Sequence, residues 1–244
     1  MRLTPLVRGT AASLALIAAT TADAQILFNN GPAVTAGLST IRAGGTLFGA
    51  GAQASIPNIV ADNFSVAGAG WNVSSLSFFS YQSFAANTFT FTNVVWSIVS
   101  GNVNTGAVVA SGTTAVTNGG LLGYRVTSTT LTNQDRAIFQ LNADVTDFSL
   151  GAGSYWLRWG INGTAASGPW QPPTSDGVVG NGQQSLANAA FASVVDAGDG
   201  LGVEFPFVIR GTTITTVIPE PSTWTMLVIG GLAMAGLARR RRSV

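Results

Sequence analysis

The stretch SYWLRWGI, residues 154–161, alternates apolar and mixed positions as a β-strand does. In a strand, its odd-numbered side chains share one face, which carries Tyr155, Leu157, Trp159 and Ile161. The opposite face carries Trp156 and Arg158. An apolar face backed by a mixed face is typical of a strand that covers a core on one side. The stretch therefore predicts a half-buried strand of a β domain.

The same kind of pattern recurs along the chain between turn-forming residues. It predicts strands near Ile59–Val66, Val73–Ser80, Thr88–Ser100, Ala107–Thr117, Leu122–Thr130, Arg136–Asn142, Ser154–Ile161 and Gly202–Arg210. Turns are predicted at 118–120, 151–153 and 162–163, which are rich in Asn and Gly. This spacing predicts an all-β fold, an antiparallel β-sandwich with jelly-roll-like connections. Pro206 would place the last strand at an edge or a bulge.

Two stretches show little periodicity. Residues 25–56 are rich in Gly and Ala and predict a loose first strand followed by loops. Residues 170–192 contain Pro172-Pro173 and several Gly and Asn residues, and they predict a long surface loop. Such loops in compact domains are often functional.

Composition excludes several kinds of chemistry. The chain contains no Cys and no His, which removes disulfides, zinc sites and catalysis by Ser-His or Cys-His pairs. All eleven basic residues are Arg, and six of them lie in the end segments. Residues 25–221 contain five arginines and nine acids, a net charge of −4. A weakly acidic body without a basic patch argues against nucleic-acid binding.

Carboxylates are the candidate catalytic or metal-binding groups that remain. Asp144 and Asp147 could meet in a turn, although nothing sets the separation that a glycosidase needs, and a solvated turn is the default. Asp196 and Asp199 are spaced by Gly as in a calcium loop, but the rest of the EF-hand pattern is missing. An ordinary hairpin turn is the default there. We therefore expect no catalytic residue, no metal site and no cofactor.

Aromatic side chains offer a second kind of candidate site. Most tryptophans at strand spacing are core residues, as we expect for Trp96 and Trp159. Trp156 lies on the mixed face of its strand, and Trp170 opens the Pro-rich loop. These two are the candidates for stacking against a sugar, with packing as the favoured alternative.

The N-terminal segment, residues 1–24, has the pattern of a secretory signal peptide. Arg2 and Arg8 precede an apolar stretch at 11–19 that is short for a membrane span. Ala22 and Ala24 supply the small residues that signal peptidase requires, so that Gln25 becomes the new N-terminus. The alternative is an uncleaved N-terminal anchor.

The C-terminal segment, residues 218–244, has three consecutive parts. Pro219-Glu220-Pro221 comes first, an apolar stretch predicts a transmembrane helix at 223–238, and the segment ends in a stop-transfer cluster. That cluster consists of Arg239, Arg240, Arg241 and Arg242. The 15 residues from Trp224 to Ala238 would span about 22 Å as a helix, against about 30 Å of bilayer core. So short a span is better suited to transient insertion in the inner membrane than to a permanent anchor.

The combination of Pro-Glu-Pro, an apolar helix and terminal arginines resembles the PEP-CTERM sorting signal of Gram-negative bacteria. The resemblance covers residues 219–244. It implies recognition by an exosortase, a membrane cysteine transpeptidase, which cleaves near the motif and releases or transfers the body. Proteins with this signal are typically surface or matrix proteins of bacteria that make exopolysaccharide. The alternative is a plain single-pass anchor with a Pro-rich stalk.

These observations predict a β domain at 25–217 between a signal peptide and a sorting signal. We expect an exported, non-enzymatic surface or extracellular-matrix protein associated with exopolysaccharide and biofilm. It would begin as a membrane-anchored precursor and end at the cell surface or outside the cell. The alternative function is a carbohydrate-binding module of the matrix that uses Trp156 or Trp170. A carboxylate hydrolase is a third and weaker alternative.

Overall fold

Strands account for the regular structure of the β domain. The computed structural model describes residues 24–215 and Gly230. The strands of this part of the chain are β1 (Gln25–Asn29), β2 (Leu38–Thr40), β3 (Ala50–Gly51), β4 (Ile59–Val66), β5 (Trp71–Ser80), β6 (Phe91–Ser100), β7 (Val108–Val126), β8 (Ala137–Leu150), β9 (Gly153–Gly163), β10 (Trp170–Gln171), β11 (Gln183–Ser185), β12 (Ala192–Ser193) and β13 (Phe207–Thr213). The prediction of an all-β fold is confirmed.

Eleven strands form one curled sheet. Its order is β1-β13-β5-β8-β7-β6-β9-β4-β11-β12, and β2 runs parallel to the end of β7. The other pairings in the sheet are antiparallel. Strand β7 links the two halves of the sheet, because residues 108–115 pair with β6 and residues 116–124 pair with β8. The jelly-roll-like sandwich remains a prediction for this curled sheet.

The core lies between the two halves of the sheet. Trp159 of β9 is fully buried, and its ring lies 5.7 Å from the rings of Phe78 on β5 and Phe207 on β13. Trp96 of β6 stacks on Phe148 of β8 at 5.5 Å. Because burial of large aromatic side chains contributes strongly to stability, these contacts hold the halves together. The expectation that Trp96 and Trp159 are core residues is confirmed.

The turns predicted at 118–120, at 162–163 and at Asp144 and Asp147 are wrong. A bulged or continuous strand lies at each of these positions. Asn118-Gly119-Gly120 lies inside β7, where the pairing with β8 shifts register between Asn118 and Gly120. Asn162 and Gly163 are the last two residues of β9. Asp144 and Asp147 lie within β8. Bulges and turns both favour Gly and Asn, so composition alone does not separate them.

The last strand also differs from its prediction. It begins at Phe207, directly after Pro206, and it lies between β1 and β5 rather than at an edge, although its pairing with β5 contains a bulge between Arg210 and Gly211. Proline is acceptable there because it precedes the strand and no ladder hydrogen bond is required from its nitrogen. Residues 25–56 form β1, β2 and β3 with loops between them, so two short strands occur where the prediction has loops after a single first strand.

The targeting segments fall almost wholly outside the described residues. These segments are the signal peptide at 1–24, of which only Ala24 is described, and the transmembrane helix at 223–238, of which only Gly230 is described. Within residues 24–215 and Gly230, no helix has the length and apolar character needed to cross a membrane.

Candidate functional site

A cleft of about 760 Å³ lies on the outer face of the curled sheet. Strands β6, β7 and β9 provide its floor through Val95, Ser97, Ser111, Thr113 and Arg158. These residues alternate along their strands with buried neighbours such as Trp96 and Trp159, so they face away from the core. The segment 185–191 forms one wall of the cleft.

Hydrogen bonds fix the wall in place. Asn104 donates from Nδ2 to the carbonyl of Phe191 at 3.1 Å, and the backbone N–H of Phe191 donates to Asn104 Oδ1 at 2.8 Å. The hydroxyl of Ser185 donates to the carbonyl of Ala189 at 2.6 Å. The backbone N–H of Ala187 donates to Asn58 Oδ1 at 3.2 Å. The cleft is therefore bounded by a segment tied to two other loops.

Arg158 is the charged residue of this cleft. Its Nη2 donates to the carbonyl of Val103, and its guanidinium lies 5.2 Å from the ring of Phe191. Its Nε is buried and has no hydrogen-bond partner among the described residues. Partial burial lowers the pKa of Arg158 below its ordinary value. The ion pair found in the described part of the chain joins Arg42 to Asp199, so no described carboxylate neutralises Arg158.

The hydroxyl groups of the floor form no hydrogen bond with the part of the chain that the structure describes. Ser97 of β6 is in register with both Ser111 of β7 and Arg158 of β9, and Val95 is in register with Thr113. Within residues 24–215, the side chains of Ser97, Ser111 and Thr113 have no hydrogen-bond partner, yet none of them is buried. The floor thus offers a row of hydroxyls beside a cation.

The two candidate tryptophans do not line this cleft. Trp156 is half-buried on the outer face of β9, in register with Asn63 and Val99. Trp170 lies in β10, where its Nε1 donates to the hydroxyl of Ser167 at 3.2 Å. It borders a separate cleft of about 400 Å³. The structure does not bring Trp156 and Trp170 together.

The sequence pattern indicates those tryptophans as the ligand site and does not indicate this cleft. The cleft residues come from positions far apart in the chain, and no motif joins them. The available signal was Arg158, the one charged residue on the outer face of β9.

The candidate carboxylates form contacts within the protein. Asp196 accepts the backbone N–H groups of Thr46, Leu47 and Gly198 at 2.8 to 3.0 Å. Burial opposes ionisation of Asp196, but these donors outweigh it and lower its pKa. Asp199 accepts two hydrogen bonds from Arg42, which is the first cause of its lowered pKa.

Asp144 and Asp147 occupy exposed positions of β8, and Asp147 borders a separate cleft of about 320 Å³ that Asp144 does not line. The described residues contain no group of three or more Asp, Glu, His or Cys side chains arranged to hold a metal ion.

The residues predicted for processing lie at the ends of the described chain. Ala24 and Gln25 are exposed, and Gln25 is the first residue of β1. Ala22, Pro219, Glu220, Pro221 and the arginines at 239–242 lie outside the described residues.

A family model described as the PEP-CTERM protein-sorting motif matches residues 217–242. The chain therefore carries this motif, as its resemblance implied. The motif implies an exported bacterial protein that an exosortase sorts by way of a membrane-anchored precursor to the cell surface. A comparison with curated proteins gave no match for the chain.

Proposed function

We propose that this chain is an exported, non-enzymatic surface or extracellular-matrix protein of a Gram-negative bacterium, associated with exopolysaccharide and biofilm. The observation that carries the proposal is the sorting motif at 217–242, which starts after the last described strand has ended at Thr213. Cleavage near Pro219-Glu220-Pro221 would then remove no described strand. The β domain would therefore be released from the membrane with all of its described strands.

The positions of the two chain ends support this order of events. Gln25 pairs with Gly211 across β1 and β13, and Thr213 pairs with Trp71. The first and last described strands therefore bring the two ends of the domain to the same end of the sheet. A signal peptide before Gln25 and a tail after Thr213 could both reach one membrane while the domain is folded.

The inventory of reactive groups supports a non-enzymatic role. The chain has no His or Cys, and Asp196 and Asp199 bind backbone groups and Arg42 rather than facing a cleft together. The second candidate function is carbohydrate binding in the matrix. It is supported by the free hydroxyls and Arg158 of the outer-face cleft rather than by Trp156 or Trp170.

Intact mass of the protein tests the sorting proposal. In a host with an exosortase, we expect a mature form that lacks residues 1–24 and the arginines at 239–242. Deleting the exosortase, or changing Pro219, Glu220 and Pro221 together to Ala, should leave the full tail. Thr216→Ala, just before the matched residues, is the control and should be processed normally. Retention of the tail by the wild-type chain in the exosortase-positive host would overturn the proposal.

A further inference from the structure

We infer that the outer-face cleft is a binding site for a carboxylate-bearing saccharide, with the carboxylate held by Arg158. This inference rests on the proposed carbohydrate-binding function and names its ligand class. It does not depend on processing by an exosortase.

The first argument is the unpaired charge. Arg158 is partly withdrawn from water and lines the cleft, its Nη2 donates to the neutral carbonyl of Val103, and no described carboxylate forms an ion pair with it. A partly buried cation without a counter-ion is costly unless a partner arrives. The planar guanidinium matches the two oxygens of a carboxylate better than it matches other groups of a sugar.

The second argument is the local sign of charge. The β domain at 25–217 is acidic as a whole, with five arginines and eight acids. By contrast, the described residues that line this cleft include no Asp or Glu, and Arg158 is the one charged side chain among them. The cleft is thus a positive spot on an otherwise acidic domain, and an anionic ligand is directed there at short range.

The third argument identifies the rest of the ligand. Three hydroxyls line the cleft without a hydrogen-bond partner among the described residues, those of Ser97, Ser111 and Thr113. The exposed Asn188 adds a side-chain amide that also has no hydrogen-bond partner among these residues. Hydroxyls and amides pair well with the many hydroxyls of a sugar ring. The ring of Phe191, beside Arg158, adds an apolar face. A ligand with a carboxylate and many hydroxyls, such as a uronic acid unit, meets all of these groups.

The size of the cleft agrees with an oligosaccharide. Sites for small ligands commonly enclose about 300–1,000 Å³, and this cleft has about 760 Å³. That volume accommodates a few sugar units rather than a single ion.

Calorimetry with a defined probe tests the inference. The full chain, purified in detergent, is titrated with a tetramer of galacturonic acid and with the same tetramer methyl-esterified at each carboxyl. We expect the acid form to bind about tenfold to a hundredfold more tightly than the ester, because the ester cannot form the charge-assisted pair. We also expect this difference to shrink as salt is raised.

Variants assign the binding to the cleft. Arg158→Gln should weaken binding of the acid tetramer to the level of the ester. Arg136→Gln is a matched control, because Arg136 also lies over a phenylalanine ring, Phe48, at 3.8 Å, and does not line the cleft. Ser111→Trp places a large side chain at an exposed floor position and should abolish binding without touching Arg158.

Three results would overturn the inference: no binding of the acid tetramer, equal binding of acid and ester, or binding of the acid tetramer that either stable cleft variant leaves unchanged. If Arg158→Gln lowers the thermal unfolding midpoint, Ser111→Trp alone decides the location. The mass of the processed protein is unaffected by any of these outcomes, so a failure here is distinct from a failure of the sorting proposal.

Discussion

Asp62 of β4 and Phe205, two residues before β13, are joined by a buried hydrogen bond in which the backbone N–H of Phe205 donates to Asp62 Oδ2 at 2.7 Å. The N–H of Asn63 donates to the other carboxyl oxygen at 2.8 Å. Burial, with a further contribution from Glu204, nevertheless raises the pKa of Asp62 to about 8. The carboxyl of Asp62 therefore binds its proton more tightly in the folded chain than in the unfolded chain.

This difference predicts that the protein loses stability as the pH rises through neutrality. Between the unfolded value of 3.8 and the folded value of about 8, the native state binds more protons than the unfolded state. The free energy of unfolding should then fall with pH, by at most on the order of 1 kcal/mol per pH unit. The chain has no His and no Cys, so few other groups titrate in this window. Denaturant unfolding at several pH values between 4.5 and 8.5 measures the slope.

Asp62→Asn should flatten that slope, because Asn does not titrate. Asp144→Asn, at an exposed position of β8, is the control and should keep the wild-type slope. A slope that persists in Asp62→Asn would show that another group is responsible.

Asp196 provides a second prediction, in which its carboxylate holds a loop in place. It accepts hydrogen bonds from the backbone of Thr46 and Leu47 and from the hydroxyl of Thr46. Asp196→Asn removes the charge and part of this acceptor set, and we expect a loss of about 1–3 kcal/mol in unfolding free energy. Chemical denaturation measures the loss, and Asp147→Asn, which is exposed, is expected to cost less.

A calcium titration distinguishes the two interpretations of the segment at Asp196 and Asp199, an ordinary hairpin turn and a calcium loop. Since Asp196 and Asp199 are bonded to protein groups, addition of calcium or of a chelator should leave the thermal unfolding midpoint unchanged. A rise in the midpoint with calcium would favour the calcium-loop alternative.

A third prediction contrasts two tryptophans on one strand. Trp159 is fully buried, and its Nε1 donates to Gln171 Oε1 at 3.0 Å. Trp159→Ala should cost about 3–5 kcal/mol, because it leaves a cavity and an unpaired acceptor. Trp156→Ala, three residues earlier on the half-buried outer face, should cost clearly less. Equal losses in denaturant unfolding would contradict the assignment of inner and outer faces.

The contrast on β9 also shows how far the sequence predicts the fold. Strict alternation fixes the two faces of a strand, so the buried positions of Tyr155, Leu157 and Trp159 follow from residues 154–161 alone. In β7, Asn118-Gly119-Gly120 has the composition of a turn but forms a bulge. Which of the two forms depends on the partner strand β8, which lies more than a dozen residues further along the chain.

The cleft could not be predicted from the sequence, for a related reason. Ser97, Ser111 and Arg158 meet because β6 pairs with both β7 and β9 in a particular register. Register depends on every residue of the paired strands, and a single sequence does not state it. The sorting motif, by contrast, is a short contiguous segment, and its residues suffice to identify it.

A last prediction concerns where the folded domain ends. Gly211, Thr212 and Thr213 of β13 pair with β5, and the backbone N–H of Ile214 donates to the carbonyl of Gly70 at 2.8 Å. A chain that stops after Ile218, exported with its own N-terminal segment, keeps all of these contacts. Its thermal unfolding midpoint should equal that of the exosortase-processed protein.

A chain that stops after Arg210 is the informative comparison. It loses three residues of the ladder, and Gln25 also loses its partner Gly211. At about 0.5–1.5 kcal/mol for each hydrogen bond, we expect a loss on the order of 2–4 kcal/mol, measured by denaturant unfolding. If the chain ending at Ile218 is less stable than the uncleaved chain that retains the tail, residues 219–244 contribute to the fold. The tail would then have a structural role in addition to its role in sorting, because cleavage would remove contacts that the domain needs.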